Sequence, residues 1–120
     1  MTSHKDWPAM ADELNPLIAQ LRQAQPDIMK GFGLMAQGAL KTAALDTKTK
    51  ELIALAISVA IRCEACITFH AKAAVKAGAS DGEIAECMGL AIYMGAGPSV
   101  MYAAQAMEAV QQWRDVQPKS

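Results

Sequence analysis

The stretch of sequence that decides the fold is residues 47–78, which read TKTKELIALAISVAIRCEACITFHAKAAVKAG. It predicts two helices in tandem, the first running to about Ile61 with Asp46 or the residue after it as N-cap. The second helix begins near Cys63 and stops at Gly78, a residue type common just past helix ends. The apolar run of the first helix is ten residues long, about half of what a bilayer span needs. We therefore predict a buried helical pair and no membrane segment.

Helical periodicity and end signals continue along the rest of the chain. Asp6 is a plausible first cap, Pro26 separates two helices, and Ser80-Asp81-Gly82-Glu83 matches a capping box. Gly95-Ala96-Gly97-Pro98 predicts a tight turn, because no strand precedes it and its spacing fits no phosphate-binding loop. We predict one all-α domain over residues 1–120, a bundle of about six helices with a frayed tail from Val116. The expected helices are 8–25, 26–42, 47–61, 63–78, 80–94 and 98–115.

The composition supports a compact helical protein and excludes several other classes. Hydrophobic residues make up 52% of the chain, aromatic residues only 5%, and 24 of the 120 residues are alanine. This argues against a β-sandwich and against disorder. A net charge of −1 without a basic cluster argues against a nucleic-acid partner. No secretory signal is visible, so we expect a cytoplasmic protein. The apolar surplus, including eight methionines, predicts a subunit interface and hence a homo-oligomer.

Three chemically versatile side chains share one face of the second helix of the pair. Cys63, Cys66 and His70 lie within about 60° of one another at 100° per residue. Cys66 and His70 are one turn apart and can share a hydrogen bond. Cys63 falls in the first turn, where the helix dipole lowers a thiol pKa, as does a nearby histidine. If the two helices are antiparallel, the carboxylate of Glu51 can return to orient or protonate the imidazole.

Other interpretations of these residues remain open at this point. A structural zinc site is the main rival, with Cys87 or His4 as the fourth ligand. Two buried cysteines and a helix-dipole role for Glu51 are the purely structural alternative. A covalent haem site is excluded, because Ile67 and not a histidine follows the second cysteine. We predict that Cys87 is a small core residue and that His4 lies in a mobile terminus.

At these residues the chain resembles the carboxymuconolactone decarboxylase superfamily, and within it the alkyl hydroperoxidase D-type (AhpD-like) branch. The resemblance covers roughly residues 30–110, which we take as the core of the domain. Its specific part is the combination of Glu, Cys-x-x-Cys and His at this spacing. The matching segments are ALDTKTKEL at 44–52, CEACITFH at 63–70, AGAS at 77–80, YMGAGP at 93–98 and MYAAQA at 101–106.

The resemblance implies an all-α fold that assembles into dimers, trimers or hexamers. It implies thiol-dependent reduction of hydrogen peroxide or alkyl hydroperoxides, with Cys63 and Cys66 as the redox pair and Glu51 and His70 as the proton relay. It also implies a dithiol reductant, a lipoyl-bearing or thioredoxin-like protein, and no metal or organic cofactor. Two departures matter: some members have a relay histidine where this chain has Ala65, and longer members contain two helical halves. A single short unit would need another subunit to complete its pocket.

Which cysteine attacks the peroxide is open from the sequence alone. Proximity to the helix N-terminus favours Cys63, whereas the reach of His70 favours Cys66, which we prefer because a base can accept the thiol proton. Two functions of other classes stay in view. A carboxymuconolactone decarboxylase-like lyase acting on a small cyclic acid predicts activity that survives Cys66→Ser. A non-catalytic helical assembly with a structural zinc predicts thiols that do not react with peroxide.

Overall fold

The computed structural model describes residues 3–117 and confirms the all-α prediction, with no strand in that part of the chain. The helices pack into one compact domain with a radius of gyration of 14.7 Å. In chain order the helices are α1 (Trp7–Ala24), α2 (Pro26–Leu40), α3 (Thr47–Ala60), α4 (Glu64–Lys76) and α5 (Asp81–Asp115).

The helix count differs from the sequence prediction at one place. The expected fifth and sixth helices are two arms of the single element α5, which bends at Ala96. Ala96 has φ 55° and ψ −139°, and Pro98 has no N–H to donate to the turn before it. One left-handed residue thus bends the chain without opening a loop, and helical bonding resumes at once. Of the predicted frayed tail, residues 118–120 lie outside the described part of the chain.

The helix ends follow the predicted capping chemistry. The Asp46 carboxylate caps α3 by accepting the N–H of Thr49 at 2.8 Å. Ser80 and Glu83 form the reciprocal capping box of α5. Gly78, at φ 89°, takes the left-handed position after α4, where a residue without a β-carbon is unstrained. These local signals fix the lengths of the helices that position the site.

Helix α3 lies at the centre of the bundle and packs against α4 and α5, while α1 covers α4 and α5. Trp7 and Ala11 of α1 are also buried, so the packed interior includes residues before position 30. Helix α2 differs from the others, since none of its residues 26–40 is buried. The fully buried large side chains are Trp7, Leu55, Ile67, Ile84, Val59 and Thr68.

The segment before α1 is hydrogen-bonded to the bundle in this structure, whereas the sequence predicts a mobile terminus at His4. The Glu108 carboxylate of α5 accepts the backbone N–H of His4 at 2.6 Å and that of Lys5 at 3.1 Å. It also accepts the indole N–H of Trp7 at 2.8 Å. Burial raises the pKa of Glu108, but the three hydrogen bonds together lower it by more. The pKa of this carboxyl therefore lies below its usual value. Glu108 is therefore a charged anchor for the segment.

One helix within residues 3–117, α5, is long and apolar enough by length and composition to span a bilayer. Core helices of globular proteins meet the same criteria. Helix α5 packs against α1, α3 and α4 and contributes several side chains to the buried core.

Candidate active site

A tight connection between α3 and α4 sets the position of the first cysteine. Arg62 adopts φ 61°, and its N–H donates to the carbonyl of Val59 at 3.2 Å while the N–H of Cys63 donates to that of Ser58 at 3.0 Å. This paired bonding ends a helix with one left-handed residue. Arginine pays a steric cost there that glycine would not. The connection therefore holds Cys63 directly at the start of the next helix.

Cys63 is the N-cap residue of α4, and its sulfur accepts the backbone N–H of Cys66 at 3.2 Å. A sulfur in this position takes the place of the usual capping oxygen. A thiolate there would face the positive end of a 13-residue helix, which stabilises negative charge. The structure has the two sulfurs joined in a disulfide, with Cα atoms 5.2 Å apart. The backbone thus places both cysteines close enough to cycle between dithiol and disulfide.

The carboxylate of Glu51 lies against His70, as predicted for antiparallel helices. Oε1 of Glu51 is 2.9 Å from Nδ1 of the imidazole. The Glu51 side chain is only 6% exposed and that of His70 33% exposed. A buried carboxylate that accepts the Nδ1 proton leaves Nε2 as the free basic nitrogen of a neutral imidazole. Glu51 therefore orients a histidine whose other edge can exchange protons.

An open cleft runs beside this pair. It has a volume of about 610 Å³ and is lined by residues from the start of α3 and the end of α4, Glu51 among them. Lys48 stands at the cleft and pairs with Glu83 at 3.0 Å. Because Glu51 both borders the cleft and touches His70, it connects the imidazole with the surface. The lining residues are Thr42, Asp46, Thr47, Lys48, Glu51, Ala73, Lys76 and Ala77.

The structure places Glu51 on α3, and it places Cys63, Cys66 and His70 at the N-cap and in the first two turns of the neighbouring α4. The expected hydrogen bond between Cys66 and His70 is absent from the described part of the chain, where the imidazole bonds to Glu51 and the sulfur to Cys63. Cys87 is a free cysteine in an apolar groove between α3 and α5. Burial raises the pKa of its thiol, which makes it a poor nucleophile.

Residues 3–117 contain no group of three or more His, Cys, Asp or Glu side chains placed to share a metal ion. The zinc alternative therefore rests on the spacing in the sequence alone.

Sequence reasoning missed several residues that shape this site. The left-handed conformation of Arg62 could not be predicted, since arginine is not typical of such positions. Thr68 on α4 is buried and donates to the carbonyl of Trp7 at 2.7 Å, tying the cysteine-bearing helix to α1. Glu64 lies between the two cysteines and pairs with Lys5, 59 residues away. Its place beside the thiols could have drawn attention, but its partner could not be inferred.

Comparison with known proteins identifies the region that carries this site. A profile of the carboxymuconolactone decarboxylase family matches residues 26–109. The match includes α2, α3, α4 and most of α5, and with them all four predicted site residues. It leaves out the segment before α1 and α1 itself.

Relatives and solved structures agree with this match. An uncharacterized protein of Cupriavidus necator is 37% identical over 95 residues, covering 79% of this chain and 84% of that protein. A carboxymuconolactone decarboxylase family protein from Legionella pneumophila superimposes with a TM-score of 0.87 at 45% identity, over 89% of this chain and 96% of that one. Another carboxymuconolactone decarboxylase family protein, from Thermotoga maritima, has a TM-score of 0.68 at 32% identity, over 72% of this chain and 90% of that one. An involvement in antioxidative response has been suggested for that protein.

Proposed function

Because the chain belongs to the carboxymuconolactone decarboxylase family, we propose that it acts as an AhpD-like thiol peroxidase on hydrogen peroxide or alkyl hydroperoxides. One observation carries the proposal: α4 bears two cysteines close enough to form a disulfide, together with a histidine that contacts a buried carboxylate. The cysteines open α4, and His70 follows one turn after Cys66 on that helix, with Glu51 at 2.9 Å from its ring. A lyase of this family would have no use for the thiol pair.

In the proposed reaction the Cys66 thiolate attacks one peroxide oxygen and the O–O bond breaks. The alcohol or water leaves with a proton delivered through His70, and Cys66 becomes a sulfenic acid. The Cys63 thiol then attacks this sulfur, the S–S bond forms, and water leaves. Two electrons have passed from the thiol pair to the peroxide. Glu51 holds the imidazole and passes protons between it and the cleft.

We assign the first attack to Cys66 because His70 lies on the same face one turn away and can take its proton. Cys63 occupies the helix cap position, beside Cys66 in the chain and bonded to it in the disulfide, which suits the second step, where it must attack the sulfenic sulfur. An external dithiol returns the two electrons by exchange and becomes a disulfide itself. A lipoyl-bearing or thioredoxin-like protein of the cytoplasm fits that role, since this compartment keeps thiols reduced.

The test follows the fully reduced protein after addition of one equivalent of peroxide. We expect an intact mass lower by two hydrogen atoms and the loss of two free thiols. His70→Ala and Glu51→Ala should slow this change. An unchanged mass and thiol count in the wild-type protein would contradict the peroxidase proposal.

We further propose that the chain works as a homo-oligomer, a dimer, trimer or hexamer. Helix α2 carries Ile28, Phe32 and Met35 at helical spacing, and these side chains are 67%, 58% and 63% exposed. Large apolar side chains on α3 and α5 are exposed as well. Large exposed apolar surfaces on a globular protein commonly mark interaction sites, so a second copy of this chain is the proposed occupant.

The oligomer proposal predicts a specific response to charge on α2. Phe32→Glu should lower the sedimentation mass to that of one subunit at micromolar concentration, because burying an unpaired carboxylate costs several kcal/mol, about 10²-fold or more in association. Gln37→Glu adds the same charge at an exposed polar position of this helix and should leave the mass unchanged. A wild-type protein that sediments as one subunit would refute the proposal.

A further inference from the structure

In the sequence, an acidic residue lies between the two cysteines of the candidate site. Glu64 follows Cys63 directly and occupies the first turn of α4, with its side chain 41% exposed. A negative charge next to a thiol opposes formation of the thiolate and raises the thiol pKa. Without a positively charged partner, the Glu64 carboxylate would oppose the effect of the helix N-terminus, which favours ionisation of the cysteines.

The structure supplies a cation for this carboxylate. The ammonium group of Lys5 forms an ion pair with Oε1 of Glu64. It also lies 5.6 Å from the centre of the Trp7 ring, within reach of a cation–π contact. The Lys5 side chain is 29% exposed, so it is only partly in solvent. Lys5, 59 residues away in the sequence, thus pairs with Glu64, the residue that follows Cys63.

The backbone of Lys5 is fixed from both sides, which distinguishes this contact from an ordinary surface ion pair. Its N–H donates to Glu108 at 3.1 Å, and its carbonyl accepts the side-chain N–H of Gln112 at 2.6 Å. The neighbouring N–H of Trp7 donates to Gln112 at 2.8 Å. Exposed ion pairs are weak largely because two free side chains must be ordered. Here the backbone of Lys5 is already held by α5, and its ammonium group also lies over the Trp7 ring.

We propose that Lys5 is a positioning residue that sets the acidity and reduction potential of the cysteine pair by balancing the charge of Glu64. The proposal rests on the redox role assigned above to Cys63 and Cys66. A positive charge near the pair stabilises the thiolate, and with it the reduced form, so the disulfide becomes more oxidising. Lys5 lies outside the region 26–109 that matches the family profile. The segment before α1 therefore adds a control of thiol chemistry to the family core.

The test measures thiol ionisation and the dithiol–disulfide potential in the complete protein. Lys5→Met should raise the pKa of the more acidic thiol by about half a unit, a change expected for one charge acting through solvent at short range. At pH values well below this pKa the thiolate fraction then falls about threefold, and the reduction potential becomes more negative. Glu64→Gln should shift both quantities in the opposite direction. Lys5→Arg should keep the wild-type values.

The double variant Lys5→Met with Glu64→Gln separates charge balance from a structural effect. It restores zero net charge at this position, so its thiol pKa should return close to that of the wild type. In 1 M salt, where the screening length is about 3 Å, the shifts of the single variants should shrink. Lys41→Met, which removes an exposed lysine elsewhere, should change nothing.

Either of two results would overturn the proposal: an unchanged thiol pKa in Lys5→Met, or a shift that persists in the double variant. Melting temperatures of all variants show whether each one is folded, and Glu64→Gln tests the same charge balance if Lys5→Met is not. The titration uses reduced protein and no peroxide. A failure of the peroxidase proposal in the mass experiment therefore leaves this result readable.

Discussion

Replacing Cys66 by serine is expected to abolish the reaction with peroxide. The reduced variant should keep its mass and its remaining thiols after one equivalent of peroxide, and peroxide consumption should fall about 10³-fold or more, as when other enzymes lose their nucleophile. The serine hydroxyl at this position stays protonated at neutral pH and is not oxidised by peroxide. Mass spectrometry of the intact protein and a free-thiol titration measure both effects.

The matching variant Cys63→Ser should behave differently. Cys66 would still attack, but no neighbouring thiol could resolve the sulfenic acid, so the protein should gain one oxygen atom and bind a sulfenic-acid probe. Cys87→Ser serves as the matched control and should react as the wild type, because this thiol lies in an apolar groove with a raised pKa. If Cys66→Ser gains the oxygen and Cys63→Ser does not, the order of attack is the reverse of the one proposed.

These variants also separate the proposed peroxidase from the lyase chemistry that gives the family its name. A lyase that uses His70 as a base would act on a small cyclic acid with or without the cysteine pair. Activity of that kind in Cys66→Ser, together with inert thiols in the wild-type protein, would contradict the peroxidase. A reaction confined to proteins that keep both cysteines would support it.

The features that the sequence predicted correctly depend on short-range interactions. Caps at Asp46 and Ser80 and the stop at Gly78 each involve residues within a few positions of one another, so their signals are visible in the printed sequence. The meeting of Glu51 and His70 needed only one further assumption, that two helices joined by a short connection run antiparallel. Local rules therefore sufficed to assemble most of the candidate site.

The features that the sequence did not reveal depend on tertiary contacts or on unusual backbone angles. Ala96 and Arg62 adopt positive φ values, which packing imposes on residues with no preference for them. The tight turn at 95–98 was predicted, but not that a single residue, Ala96, would form it as a kink between two helical arms. The contact of Lys5 with Glu64 depends on how Glu108 and Gln112 of α5 hold the segment before α1. No spacing rule links positions so far apart.

Replacing Glu51 by glutamine is expected to slow disulfide formation by about 10²-fold or more, the usual contribution of a positioned proton-transfer group. Glutamine has nearly the same shape, so its side-chain oxygen can still accept the Nδ1 proton of His70. The negative charge is lost, however, and with it the stabilisation of the imidazolium that forms when the histidine takes the thiol proton. The rate of thiol loss under excess peroxide, followed as a function of pH, measures the effect.

The double variant tests whether Glu51 acts through His70. If it does, adding Glu51→Gln to His70→Ala should slow the reaction no further than His70→Ala alone, because residues that work as a unit are not additive. Glu86→Gln removes an exposed carboxylate of α5 and should leave the rate unchanged. Additive losses would mean that Glu51 acts independently of the histidine, for example by serving the cleft directly. A wild-type rate and pH profile in Glu51→Gln would remove the carboxylate from the mechanism, because its 2.9 Å contact with Nδ1 would then only hold the ring.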